Sequence, residues 1–146
     1  MSAIESIDLW HRRARPNPTP EDFNVQLGCH FEEICEMFDA LAFDFETARE
    51  ASAAHTTLHR LAERLKNGNG KAKIHGRRDF LDSIADQVVA GIGVAHCARM
   101  DGRTAAVRVN ESNWSKFDDE GQPIRDANGK IAKGPRYTPP DLEGLY

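Results

Sequence analysis

The sequence is short of cysteine, of long apolar runs and of excess basic charge, and each shortage removes a class of protein. Its three cysteines, Cys29, Cys35 and Cys97, are an odd number that cannot all pair as disulfides, and no two have the C-x₂₋₄-C spacing of a zinc half-site. No basic start followed by an apolar run opens the chain, so the expected compartment is a reducing cytoplasm. The longest apolar stretch, residues 88–97, is about half the length needed to cross a bilayer and contains Gly91 and Gly93. Lys+Arg total 19 against Asp+Glu 23, a net charge of −4, which disfavours a broad polyanion-binding surface. Neither a membrane nor nucleic acid is therefore expected as a partner, and internal repeats are absent.

What is present fits one compact domain spanning residues 1–146. Hydrophobic residues make up 40% and charged residues 29%, enough apolar material for a core. Leu27, Phe31, Ile34, Phe38 and Leu41 recur at spacings of four and three, predicting an amphipathic helix over residues 20–45. Thr19-Pro20-Glu21-Asp22 supplies its N-cap hydroxyl, first-turn proline and two acids on the positive end of the dipole. Similar spacing predicts helices over 47–66 and 79–100, with shorter ones over 4–13 and 104–114. The stretch from Gln87 to Ala95 is apolar nearly all round, as expected of a helix packed on several sides.

After Phe117 the composition changes. Asp118-Asp119-Glu120-Gly121 and Asn128-Gly129 are turn signals, with Pro123-Ile124-Arg125 and Lys130-Ile131-Ala132 as arms of a short hairpin. The expected fold is thus an all-α bundle of about four main helices over 1–116, with an irregular tail over 117–146 lying across the helices or a neighbouring subunit.

Carboxylates are distributed unevenly over these helices. Glu32, Glu33, Glu36 and Asp39 share about a third of the circumference of the first long helix, and Asp79, Asp82 and Asp86 lie within about 60° of one another on the apolar one. A solvated acidic face is one reading. The other is a site for a hard divalent cation, because converging carboxylates repel and Mg²⁺ takes oxygen ligands while bridging to phosphate.

Glu33-Ile-Cys-Glu36, followed by Asp82-Ser-Ile-Ala-Asp86-Gln-Val-Val, resembles the paired acidic motifs of the MazG-like, all-α nucleoside triphosphate pyrophosphohydrolases. Val109-Asn-Glu-Ser-Asn113-Trp-Ser-Lys116-Phe, Gly121-Gln-Pro-Ile and Lys133-Gly-Pro-Arg-Tyr137 are similar to the C-terminal region of small, often phage-encoded members. The resemblance covers roughly residues 26–142. It implies metal-dependent hydrolysis of an NTP or dNTP, dGTP among the candidates, to the monophosphate and pyrophosphate, in nucleotide-pool control. It also implies Mg²⁺ or Mn²⁺ held by Glu33, Glu36, Asp82 and Asp86, catalytic roles for Glu32, Glu33 and Glu36, and a homo-oligomer. Asn110, Asn113, Lys116, Lys133 and Tyr137 match positions on the substrate side, and His30 beside the acidic motif is a further candidate for base or sugar contact. The family's E-x-x-D pattern is altered here: Ser83 stands where its Glu belongs, so Asp82, or an Asp79-x-x-Asp82 register, completes the set.

Other features admit two readings each. Lys66, Lys71, Lys73, Arg77 and Arg78 form a solvated loop or close over a triphosphate. Trp114, Phe117 and Tyr137 stack on a base or pin the tail to the helices. The cysteines are expected as buried thiols. Two further functions compete with the first: a non-catalytic helical interaction module, and an enzyme acting on phosphoribosyl-ATP.

Overall fold

The computed structural model describes residues 1–127 and 129–146. Its helices are α1 (Ala3–Ala14), α2 (Pro20–Asp39), α3 (Ala48–Lys66), α4 (Arg77–Cys97) and α5 (Gly102–Trp114), and among the described residues there is no regular strand. The all-α class read from the apolar spacing is the one adopted. The chain divides into two compact units, Asn17–Lys73 and Met1–Pro16 with Ile74–Tyr146.

The first of these units is an antiparallel helix pair. Thr19 opens α2 with a reciprocal capping box, its hydroxyl accepting from Asp22 N at 3.1 Å while the Asp22 carboxylate accepts from Thr19 N at 2.9 Å. The helix ends at Asp39, short of the predicted Phe45, because the chain turns back on itself there. Leu41 N donates to Phe38 O, the Phe43 ring packs on Phe38 at 5.7 Å, and Asp44 accepts from Thr47 N at 2.9 Å, ahead of α3. Gly28 lets the two helices meet: a Cβ there would lie 2.7 Å from Lys66 Cγ and 2.8 Å from Ala62 O. Ala62, Leu65 and Cys35 are buried along this seam. Asn24, also buried, accepts from Ala72 N at 2.6 Å and so holds the segment following α3 against the start of α2.

In the other unit α1 packs on α5 around Trp10, Ala14 and Phe117. The Trp10 and Phe117 rings stack at 5.6 Å, and Trp114 meets Phe117 edge-on at 5.4 Å. Ser6 Oγ accepts from both Asn110 Nδ2 at 2.7 Å and Trp114 Nε1 at 3.1 Å, joining the polar side of the same seam. Helix α4 reaches α5 at Gly102, where a Cβ would stand 2.7 Å from that of Ala95.

The tail lies across this unit. Arg125 donates to the Ala14 carbonyl, and Ser112 Oγ to Thr138 O at 2.7 Å. The two expected hairpin arms meet as an isolated bridge, Arg125 with Ile131, beside a second bridge of Phe117 with Pro123. Of the Asn128-Gly129 turn, Gly129 has φ +78°, whereas Asn128 lies outside the described residues.

Helix α4 departs from expectation. None of its residues is buried; Leu81, Val88, Val89, Ile92 and Val94 are 44–72% exposed, and Asp79, Asp82 and Asp86 are exposed as well. Apolar character all round predicted a helix packed on several sides, but the spacing records only what a helix can bury. Covering it is a matter of neighbours. The cysteines divide likewise: Cys35 is buried, Cys29 half-buried and Cys97 exposed.

Candidate functional site

Helix α2 carries the first acidic group in graded exposure. Cys35 points into the seam at 2% exposure, so residues on the opposite arc face outward: Glu33 and Glu36 are exposed, whereas Glu32, nearer the seam, is half-buried. Lys66 crosses from the last turn of α3 to meet it. The Lys66 ammonium lies 2.6 Å from Glu32 Oε1 and 2.6 Å from Glu63 Oε1. Burial alone would depress the Lys66 pKa, but hydrogen bonds and charge from the two carboxylates outweigh it and hold the ammonium above its ordinary value. Burial, with the charges of Asp39 and Glu32, pushes the Cys35 thiol up instead, leaving it a packing group. His30 sits half-buried beside the Phe31 ring, 6.4 Å between centroids.

Past Glu36 the seam opens into a cleft of about 270 Å³. Phe38 and Phe43 form one wall; Ala48, Ala51 and Ser52 of α3 form the other, too small to fill it. Its polar end is Asp39 with His55, whose Nε2 lies 3.1 Å from Asp39 Oδ1 in ion-pair range but without hydrogen-bond geometry. The cleft was not legible in the sequence beforehand. Its signal was a run of small residues at i, i+3 and i+4 opposite two phenylalanines, meaningful only once helix pairing is known.

Asp79, Asp82 and Asp86 share one exposed face of α4, and Asp79 is 3.2 Å from Arg78 Nη1. Exposed to water, these three acids have their mutual repulsion screened and need no cation to offset burial. Among the described residues, no three or more His, Cys, Asp or Glu side chains are gathered as a ready-made metal site.

At the end of α5, Lys116 Nζ donates to Asn113 Oδ1 at 2.7 Å, so the structure brings these two predicted residues together. Asn110 is 5% exposed and holds Ser6. The Lys133 ammonium stands 4.7 Å over the Tyr137 ring, a cation–π pair in the tail. Phe117 is buried and pins the start of the tail on α1, whereas Trp114, engaged by Ser6 and by Arg13, 5.7 Å over its ring, joins α5 to α1. Sequence reasoning missed the Lys66–Glu32 pair, formed across 34 residues. No protein-family model, curated protein or solved structure matches the chain.

Proposed function

We propose that the protein is a MazG-like nucleoside triphosphate pyrophosphohydrolase, cleaving an NTP or dNTP, dGTP among them, to the monophosphate and pyrophosphate. The observation that carries this reading is an exposed carboxylate face and an aromatic cleft on one helix pair. Glu33 and Glu36 face outward on α2, and the cleft begins at Phe38. Helical rise sets Phe38 about 7.5 Å along the axis from Glu33, the scale that separates a nucleobase from its α-phosphate.

Glu33 and Glu36 of α2, with Asp82 and Asp86 of α4, are the residues assigned to the cation by resemblance. Their donors are carboxylate oxygens throughout, the set that suits a hard ion such as Mg²⁺ or Mn²⁺. When bound, the cation supplies neutralisation of phosphate charge and Lewis-acid activation. Glu32 takes the proton of the water that attacks the α-phosphorus; a P–O bond forms and the α–β anhydride breaks, its electron pair leaving with pyrophosphate. By the same resemblance Asn113, Lys116, Lys133 and Tyr137 are assigned to the substrate; Asn110, assigned with them, is instead buried on Ser6 and supports α5 from behind. Phe38, Phe43 and His55 enclose the base, whereas His30, about one turn before Glu33, lies on the phosphate side of the acids and away from the sugar.

The exposed apolar side of α4 supports a homo-oligomer that covers it, read by light scattering as a mass above the monomer at micromolar concentration. The same exposure favours the second reading, a non-catalytic interaction module. Incubation with each NTP and dNTP in Mg²⁺ or Mn²⁺ decides between them. Monophosphate and pyrophosphate without diphosphate is the expected outcome; orthophosphate as primary product, or no turnover, overturns the enzyme reading.

A further inference from the structure

We infer that Lys66 is a positioning residue for the proposed hydrolysis, acting through Glu32; the inference rests on the function proposed above. Three observations point to it. The Lys66 side chain is 18% exposed and the Glu32 side chain 27%, so this pair is withdrawn from solvent far more than a surface ion pair. Gly28 provides the passage, since any Cβ there would meet Lys66 Cγ at 2.7 Å, and the aliphatic stem needs that space to bring Nζ to α2. The ammonium engages Glu32 at Oε1 alone, and among the described residues Oε2 has no protein donor.

These features give Glu32 a single held orientation. A carboxylate bonded through one oxygen by a cation behind it keeps its other oxygen as an acceptor, while its torsional freedom is lost. Glu33 and Glu36, farther round α2, are exposed, whereas Glu32 is half-buried against Lys66. Lys66 therefore fixes one carboxylate of the acidic face. Glu63, 47% exposed and on the same helix as Lys66, is a more solvated second partner of the ammonium.

A purely structural role makes different predictions, because a staple between α2 and α3 changes stability and leaves the chemistry of folded molecules alone. The experiment measures kcat and KM for the best triphosphate substrate in Mg²⁺, with thermal melts, for wild type, Lys66→Met, Lys66→Arg, Glu32→Gln, the Lys66→Met/Glu32→Gln double variant and a Glu63→Gln control. Outer partners of reacting carboxylates typically contribute about 10–100-fold, so Lys66→Met is expected to lose that much kcat with KM changed less than about threefold. Lys66→Arg recovers part of the loss, Glu63→Gln stays within about twofold of wild type, and the double variant is no slower than Glu32→Gln alone. A lower melting temperature in Lys66→Met with kcat per folded molecule unchanged overturns the inference, as do multiplicative effects of the two substitutions. The double variant, which removes both charges together, supplies a folded protein if the single one fails to fold. Wild type without pyrophosphohydrolase activity instead overturns the reading on which the inference rests.

Discussion

The indole Nε1 of Trp10 donates to the backbone carbonyl of Asn113 at 2.9 Å, tying the first helix to the last turn of α5 across 103 residues. That carbonyl belongs to the residue whose side chain holds Lys116. The packing of α1 and the placement of the proposed phosphate-facing lysine are thus one structural problem. Trp10→Phe keeps a ring on Phe117 and removes the donor; the Asn113 carbonyl still accepts from Lys116 N at 3.2 Å, so the expected cost is that of one net hydrogen bond, about 0.5–1.5 kcal/mol. Denaturant unfolding reads that loss. If Lys116 is placed through this bond, Trp10→Phe also lowers kcat at temperatures where the protein remains folded.

Arg99 offers a gain in stability. Its φ of +61° puts an arginine in the left-handed region, at the end of α4 where Arg99 N bonds His96 O and Met100 N bonds Ala95 O. Glycine adopts that conformation without the Cβ clash, at some cost in unfolded-chain entropy. Arg99→Gly is expected to add about 0.5–1 kcal/mol, seen as a higher denaturant midpoint with unchanged slope. A lower midpoint would show that the arginine side chain contributes more than its backbone strain costs.

Carboxylates bonded to nearby Ser and Thr residues around the starts of three helices shape the acid limb of stability. Asp101 is held below the usual carboxylate range by the Thr104 hydroxyl and backbone N–H, Asp44 by the same groups of Thr47, and Glu5 by the backbone N–H and hydroxyl of Ser2. For each, the unfolded chain takes up its proton at higher pH than the folded one. The stabilisation is complete above the ordinary carboxylate values of 3.8 to 4.5 and is lost as pH falls through the depressed ones. Asp44→Asn with Asp101→Asn keeps oxygen acceptors but cannot titrate. Melting temperature should therefore fall less steeply below pH 4.5 in the double variant than in wild type; equal slopes would place the acid sensitivity elsewhere.

Local signals were the readable ones. Thr19, Pro20 and Asp22 announce the start of α2 because a cap is made by neighbours in sequence, and the Leu27–Phe38 spacing follows from helical period alone. The hairpin arms around Ile124 and Ile131 were legible through their turn residues. The end of α2 was not, since residues 40–47 contain no proline or glycine and the stop comes from Phe43 folding onto Phe38. Nor could spacing reveal that Lys66 lies beside Glu32, that Asn24 holds Ala72, or that Val89 is 72% exposed. Those depend on which helices pair. The acids themselves were visible, and their surroundings were not.

The metal assignment is open to a thermodynamic test independent of turnover. Glu33 and Glu36 are exposed and one turn apart, so in the absence of a cation their repulsion is screened by water and neutralising one changes stability by less than about 0.5 kcal/mol. A cation that binds only the folded protein adds RT ln(1 + [L]/Kd), about 2.7 kcal/mol at a concentration one hundred times Kd. Melts of wild type, Glu36→Gln and Asp86→Asn in EDTA and in millimolar Mg²⁺ separate the two effects. The expected pattern is three similar melting temperatures in EDTA and an upward shift with Mg²⁺ in wild type alone. A shift of equal size in both variants excludes these acids as ligands. No shift in wild type returns the carboxylates of α2 and α4 to a solvated surface, and with them the proposed chemistry.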